Sequence, residues 1–289
     1  MERAQTGTLA TQRNAILGLL LALAAAAWAL LLAWHGSDPG MDMAMASPTM
    51  GLRAPLFLAI WVTMMVAMMF PAAAPMILTF HRVQAGRRER GGAFVPTWVF
   101  VAGYMLVWTL AGAAAYLAAS AAEAAAAGTE LSPETAARIG GAVLVAAGVY
   151  QLTPLKDLCL SKCRTPVGFV MTSWRDGTMG ALRMGLLHGA YCLGCCWLLF
   201  AILFPLGLMN IAAMAVLTAL VFAEKTLPWG RWAARGTAAV LIAYGALVIG
   251  YPRALPTLPV GVGMVPAGAG MRMQMDMPGH GGATRPSSP

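Results

Sequence analysis

The chain has 289 residues, of which 59% are hydrophobic and 10% charged, and its mean hydropathy is +0.70. These values exclude an ordinary soluble domain and predict the all-α class, as a polytopic transmembrane helix bundle. The net charge of +8 is expected to orient the chain and to favour anionic lipid, since no nucleic-acid-binding motif accompanies it.

Seven apolar segments are each long enough to form a membrane-crossing helix, which takes about 20 residues. They cover 15–34, 55–80, 94–119, 136–155, 181–204, 209–227 and 236–251, the last being the shortest. We expect the first to be an uncleaved helix, because its apolar run is longer than that of a typical signal peptide. The chain then divides into an N-terminal helix with a Met-rich loop (1–54), a metal-binding transmembrane bundle (55–251) and a mobile Met-rich, Pro/Gly-rich tail (252–289).

Basic residues gather in two of the predicted loops, 81–92 and 156–180. Because cytoplasmic loops carry the excess of Lys and Arg, both loops should face the cytoplasm. With seven crossings, the N-terminus is then cytoplasmic and the C-terminus outside, in a bacterial inner membrane. The residues concerned are Arg82, Arg87, Arg88, Arg90, Lys156, Lys162, Arg164 and Arg175.

Methionine alternates with other residues in two polar stretches on the predicted outside face. Thioether sulfur is a soft ligand that selects Cu(I) and needs no deprotonation, so these stretches could capture copper. The alternative is that Met is only a flexible filler in low-complexity sequence. The predicted capture residues are Met41, Met43, Met45, Met271, Met273, Met275, Met277 and His280.

The second span carries a sulfur stripe, formed by Met64, Met65, Met68 and Met69. Their spacing places them on one side of a helix. Ligation of a soft metal and adaptable core packing explain this stripe equally well. Pro71 and Pro75 remove backbone donors just beyond it and predict a kink.

The fifth span contains HGAYCLGCCW, with one histidine and three cysteines: His188, Cys192, Cys195 and Cys196. All four lie within an arc of about 100° on a helix, but they extend over about 12 Å, so one ion cannot touch all of them. The remaining ligands should come from other helices. The Met stripe lies at a similar depth, so the two sulfur-rich faces can meet. The alternative is that the cysteines are buried and structural.

Two further features lie toward the cytoplasm. Cys159 and Cys163 have an i, i+4 spacing, which favours either metal transfer or an ordinary pair of reduced thiols. Glu224 lies near the inner end of the sixth span, where an unpaired charge at mid-bilayer depth costs about 3 kcal/mol. We expect it to pair with Lys225, with a basic loop residue or with His188, and Lys225 could equally snorkel to the interface.

The motifs MMVAMMFPAAAP, YQLTPLKDLCLSKCR, HGAYCLGCCW and AEKTLPWG occur in that order between 55 and 251. In this respect the chain resembles a bacterial family of predicted metal-binding integral membrane proteins, domain of unknown function 2182. The resemblance implies a helical membrane protein with a metal site. The implied ligands are Met64, Met65, Met68, Met69, Cys159, Cys163, His188, Cys192, Cys195, Cys196 and Glu224.

Together these features predict a soft-metal protein that acts as carrier, acceptor or membrane chaperone, exchanging copper with a donor or acceptor protein rather than catalysing a reaction. Copper(I) suits the ligands best, and zinc stays open as the alternative metal. A second hypothesis is a membrane thiol–disulfide electron carrier that uses the CxxC at Cys192 and Cys195. A third is a structural subunit of a membrane complex.

Overall fold

A computed structural model of the chain describes residues 2–37, 48–91, 95–127 and 132–255. Within these ranges the regular structure is entirely helical, which confirms the predicted all-α class. The predicted capture residues from Met41 to Met45 and from Met271 to His280, with most of the predicted tail, lie outside the described residues.

The described helices are numbered in chain order. They are α1 (Glu2–Ser37), α2 (Ala54–Glu89), α3 (Thr97–Ala127), α4 (Pro133–Tyr150), α5 (Pro154–Arg164), α6 (Pro166–Ser173), α7 (Gly177–Ala201), α8 (Leu203–Leu206), α9 (Ile211–Thr226) and α10 (Gly230–Gly250), followed by a 3-10 turn at Pro252–Ala254.

Each predicted span overlaps a helix, but not every helix is a complete crossing. By length and composition, the part of the chain that the structure describes holds five membrane-spanning helices, or six if the pair α4 and α5 forms one span bent by 64°. The predicted span 209–227 corresponds to α9, whose 16 residues reach only about 24 Å. That length falls short of the bilayer core of about 30 Å.

The bend between α4 and α5 has a local cause. α4 ends at Tyr150, and α5 begins with Pro154 in its first turn. The Thr153 hydroxyl accepts a hydrogen bond from the backbone N–H of Lys156 and so caps the new helix. The segment predicted to be a basic loop is therefore helical through Arg164.

α2 is the central helix of the bundle and contacts α1, α3, α6 and α9. It is assigned as one helix through Pro71 and Pro75 and extends to Glu89. Arg82, Arg87 and Arg88, which the sequence placed in a loop, therefore belong to its last turns. Arg and Gln are good helix formers, so the helix continues beyond its apolar part.

Glycines allow α3 and α7 to approach closely. A Cβ atom on Gly103 would overlap the carbonyl oxygen of Leu182, and one on Gly185 would overlap that of Phe100. Small residues at such contacts let helix backbones touch within a membrane bundle. This packing places Tyr104 of α3 beside the cysteine-bearing face of α7.

Candidate metal centre

The structure brings the two cysteine motifs together. Cys159 and Cys163 lie on α5 and Cys192, Cys195 and Cys196 on α7, and all five are free thiols. The sulfur of Cys159 lies against Gly194 of α7, and Cys163, one turn further along α5, is near enough to Cys192 and Cys195 to interact with them electrostatically. The sequence placed these motifs at different depths, whereas the packing of α5 on α7 makes them one cluster.

The close approach of α5 to α7 depends on Gly194. A Cβ atom at this position would lie 2.8 Å from the sulfur of Cys159, which is closer than real Cβ contacts allow. The Tyr150 hydroxyl donates a hydrogen bond to the carbonyl oxygen of Gly194 and ties α4 to the same turn. The glycine therefore makes room for the thiols of α5.

Within α7, two thiols bond to one carbonyl group. The thiol of Cys195 lies 3.1 Å from the carbonyl oxygen of Cys192, and that of Cys196 lies 2.7 Å from the same oxygen. These contacts turn both sulfur atoms back toward the preceding helical turn, as helical side chains do. They keep the two sulfurs close to Cys192.

Cys192 has two polar neighbours from other helices. The Nζ atom of Lys225 lies 2.9 Å from its sulfur, and the Tyr104 hydroxyl lies 3.2 Å from the same sulfur. Lys225 is 8% exposed, so it does not snorkel to the interface as the sequence suggested. It is held inside because the last turn of α9 packs against α5 and α7.

Glu224 forms a buried ion pair with Lys156, at 2.7 Å, and also accepts a hydrogen bond from the Gln151 amide at 2.8 Å. The expected pairing with a basic residue of the 156–180 segment is confirmed, and the alternatives, Lys225 and His188, are not the partners. Lys156 is fully buried because it follows the bend directly and faces α9. Both carboxylate oxygens thus accept N–H donors, and the Lys156 pair already compensates the charge of Glu224.

His188 is buried among aromatic rings, with ring centroids 5.3 Å from Tyr104, 5.9 Å from Phe100 and 5.7 Å from Phe169. Neither ring nitrogen has a hydrogen-bond partner within the described ranges. A buried polar atom left unpaired costs about 1–3 kcal/mol, so an unpartnered imidazole inside the bundle needs an explanation. A soft metal bound to one of the ring nitrogens would explain why that nitrogen has no hydrogen-bond partner.

The methionine stripe is in the core. Met64, Met65, Met68 and Met69 have no exposed surface, and they belong to the same hydrophobic cluster as the cysteines of α7. α2 and α7 both pack against α3 and α9, and the rings of Trp61 and Phe200 lie 6.5 Å apart between α2 and α7. Ligation by these methionines stays a prediction.

No group of three or more His, Cys, Asp and Glu side chains is arranged to hold a metal ion anywhere in residues 2–37, 48–91, 95–127 and 132–255. A site made of these side chains alone therefore needs thiols to rotate away from the carbonyl of Cys192, or needs methionine sulfur as well. Most of the predicted donors are thiol or thioether sulfur, and such a set fits Cu(I), which binds both.

Four polar residues of this region were not predicted as site residues: Tyr104, Gln151, Lys156 and Lys225. Lys225 had a signal, since a lysine inside an apolar stretch is costly unless it has a partner. No sequence signal marked Tyr104 or Gln151, because a single tyrosine or glutamine in an apolar span forms no recognisable spacing pattern.

Comparison with known proteins agrees with this chemistry. A family model described as a copper chaperone, PpoB2, matches residues 58–248, a range that includes every predicted ligand within the bundle. No curated protein and no solved structure matches the chain. The match supports the expected link to copper and metal binding.

Proposed function

We propose that this chain, which belongs to the PpoB2 copper chaperone family, holds Cu(I) inside the membrane at its cysteine cluster and exchanges it with a partner protein. The observation that carries this proposal is the packing of α5 against α7 at Gly194, which brings Cys159 and Cys163 to the cysteine-bearing face of α7. Cu(I) is the cargo, and the reaction is ligand exchange among sulfur donors.

Thiolates from two helices give such a site its chemistry. A thiolate of α5 and one of α7 can coordinate a soft monovalent ion. His188 can add a neutral nitrogen ligand from the same face of α7. Because the cluster is buried, the ion is kept from water and oxidants. Cys163 is the most exposed of the five cysteines, so it suits the role of the exchange point with a partner.

In the proposed arrangement, the protein crosses the bacterial inner membrane an odd number of times, with its N-terminus in the cytoplasm and its C-terminus outside. The Met-rich parts of 1–54 and 252–289 would collect copper outside, the stripe at Met64 to Met69 would pass it inward, and Cys159 and Cys163 would release it. Zinc is the alternative metal, because Cys and His also bind it.

The closeness of the α5 cysteines to those of α7 also favours the second candidate, a thiol–disulfide electron carrier. Forming a disulfide between α5 and α7 would release two protons and two electrons to an acceptor quinone or protein disulfide. Such a carrier would not need His188 or the buried methionines, and for this reason we rank copper handling first.

The deciding experiment is metal analysis of the protein purified in detergent without oxygen and supplied with Cu(I) or Zn(II). We expect wild-type protein to retain copper in preference to zinc, and Cys192→Ser to lose it. Met209→Leu, which removes a buried sulfur outside the predicted ligands, is the control and should retain copper. A wild-type protein that binds neither metal and contains a disulfide at Cys192 or Cys195 would favour the electron carrier instead.

A further inference from the structure

A cavity of about 590 Å³ opens at the arginine-bearing end of α2. None of its lining residues belongs to the cysteine motifs, and its chemistry is different. Its walls combine basic and apolar side chains from the end of α2 and from α6 with the residue that follows it. The lining residues are Val83, Arg87, Arg90, Met171 and Trp174.

The two arginines of the cavity are held in place by contacts on α2 and in the link to α7. The Arg87 guanidinium pairs with the carboxylate of Asp176 at 2.5 Å and lies over the ring of Trp174, with its central carbon 5.1 Å from the centroid. The Trp174 indole donates to the same carboxylate at 2.9 Å. The Nε of Arg90 donates to the carbonyl oxygen of Gly86 at 2.9 Å. These contacts restrict both side chains and so reduce the entropy lost on binding an anion.

The guanidinium groups still have donors for a ligand. Each carries five N–H donors in a planar fork that matches the geometry of a phosphate group. The contacts just described use one nitrogen of each arginine. Arg82 and Arg88 are exposed on neighbouring turns of α2 and add to the local positive charge.

The apolar walls indicate which kind of phosphate fits. Val83, Met171 and Trp174 would be poor neighbours for a small hydrated anion, but they suit the glycerol and upper acyl carbons of a lipid. The ring of Trp174 also stacks on Phe80 of α2, with centroids 5.8 Å apart, so this apolar wall is continuous with the bundle. Tryptophan and arginine at the end of a spanning helix are typical of the headgroup region.

We infer that this cavity binds the phosphate group of an anionic phospholipid, with Arg87 and Arg90 as its donors and Val83, Met171 and Trp174 against the lipid carbons. The bound lipid would bridge the end of α2 to α6 and to the start of α7. The inference is independent of copper binding, because no lining residue belongs to the cysteine cluster.

The test is native mass spectrometry of the full chain released from phosphatidylcholine nanodiscs, with and without one-fifth phosphatidylglycerol. We expect wild-type protein to retain phosphatidylglycerol, and the double variant R87Q/R90Q to retain roughly tenfold less. The matched control is Arg138→Gln, which removes an exposed positive charge on α4 and should retain as much lipid as wild type.

Two further measurements test the lipid site. Arg90→Gln alone leaves the pair of Arg87 with Asp176 intact, so it should fold and still lose part of the retained lipid. Millimolar inorganic phosphate in phosphatidylcholine nanodiscs should not protect the protein against thermal unfolding. Protection by phosphate, or equal lipid retention by wild type, R87Q/R90Q and Arg138→Gln, would overturn the proposed lipid site.

Discussion

The ammonium group of Lys225 lies 2.9 Å from the sulfur of Cys192, in a part of the bundle where the lysine is only 8% exposed. The preceding residue, Glu224, pairs with Lys156. Two consecutive residues of α9 thus present opposite charges to two different partners. With Cys192 as a thiolate, these four groups carry no net charge, which is the condition for burying them at tolerable cost.

The first prediction concerns the choice of metal. Two thiolates and one Cu(I) carry a single net negative charge, which the ammonium of Lys225 neutralises. Two thiolates with Zn(II) are neutral, so the ammonium then leaves an uncompensated positive charge. We expect Lys225→Met to weaken Cu(I) binding by at least about tenfold and to narrow the preference for Cu(I) over Zn(II). Competition with chromogenic chelators for each metal measures both effects.

The matched control for this variant is Lys162→Met, which removes a positive charge from α5 outside the contacts of Cys192. It should leave both affinities unchanged. An equal loss of Cu(I) and Zn(II) binding in Lys225→Met would contradict selection by charge and would indicate general damage to the site.

The second prediction separates the two explanations of His188. Phenylalanine keeps the stacking on Tyr104 and Phe100 but removes two buried nitrogens that have no partner within the described part of the chain. We expect His188→Phe to change the free energy of unfolding by less than about 1.5 kcal/mol. We expect Cu(I) retention to fall about tenfold if the imidazole is a ligand. Thermal unfolding in detergent and copper analysis of the same sample are the two measurements, and undiminished copper would show that the imidazole only fills space.

The third prediction tests the ion pair. Glu224→Gln removes the charge that compensates the fully buried Lys156 and should cost about 3–5 kcal/mol of stability. The double variant with Lys156→Met removes both charges and should recover most of that loss, because neither charge is left unpaired. Fluorescence-detected size exclusion after heating gives the midpoint for each variant. A single variant as stable as wild type would mean that water or another group already compensates Lys156.

The fourth prediction concerns the seam between α5 and α7. In Gly194→Ala the new methyl group would meet the sulfur of Cys159, and α5 would have to move away. Mild oxidation should then join Cys163 to the cysteines of α7 severalfold less efficiently than in wild type, as peptide mapping by mass spectrometry can show. Gly236→Ala on α10 is the control, since nothing lies within 4 Å of its added methyl group.

The positions of the helices could be predicted from the sequence, because long apolar runs in a membrane protein form helices that satisfy their own backbone hydrogen bonds. The number of crossings could not, because the α4–α5 bend depends on Thr153 and Pro154 acting as a helix start inside a segment that hydropathy treats as continuous. The short α9 was likewise counted as a full span, although its 16 residues end at Thr226.

The candidate site could be predicted only where its residues share one helix. The spacing of His188 and the three cysteines that follow it placed them on one face of α7. The contacts from Tyr104 and Lys225 join residues far apart in the chain, and no local spacing encodes them. Lys156 was placed in a loop because charge alone suggested exposure, whereas the bend turns it toward Glu224.

Polar contacts tie α5 to the end of α9. Lys156 holds the carboxylate of Glu224, and Arg164 holds its backbone carbonyl oxygen at 2.6 Å. These ties join α5 and α9 into one body that carries both Cys163 and Lys225, while Cys192 belongs to α7. If α7 slid against this body, the sulfur of Cys163 and the ammonium group of Lys225 would both move away from Cys192. Opening the cluster would then also withdraw its counter-charge.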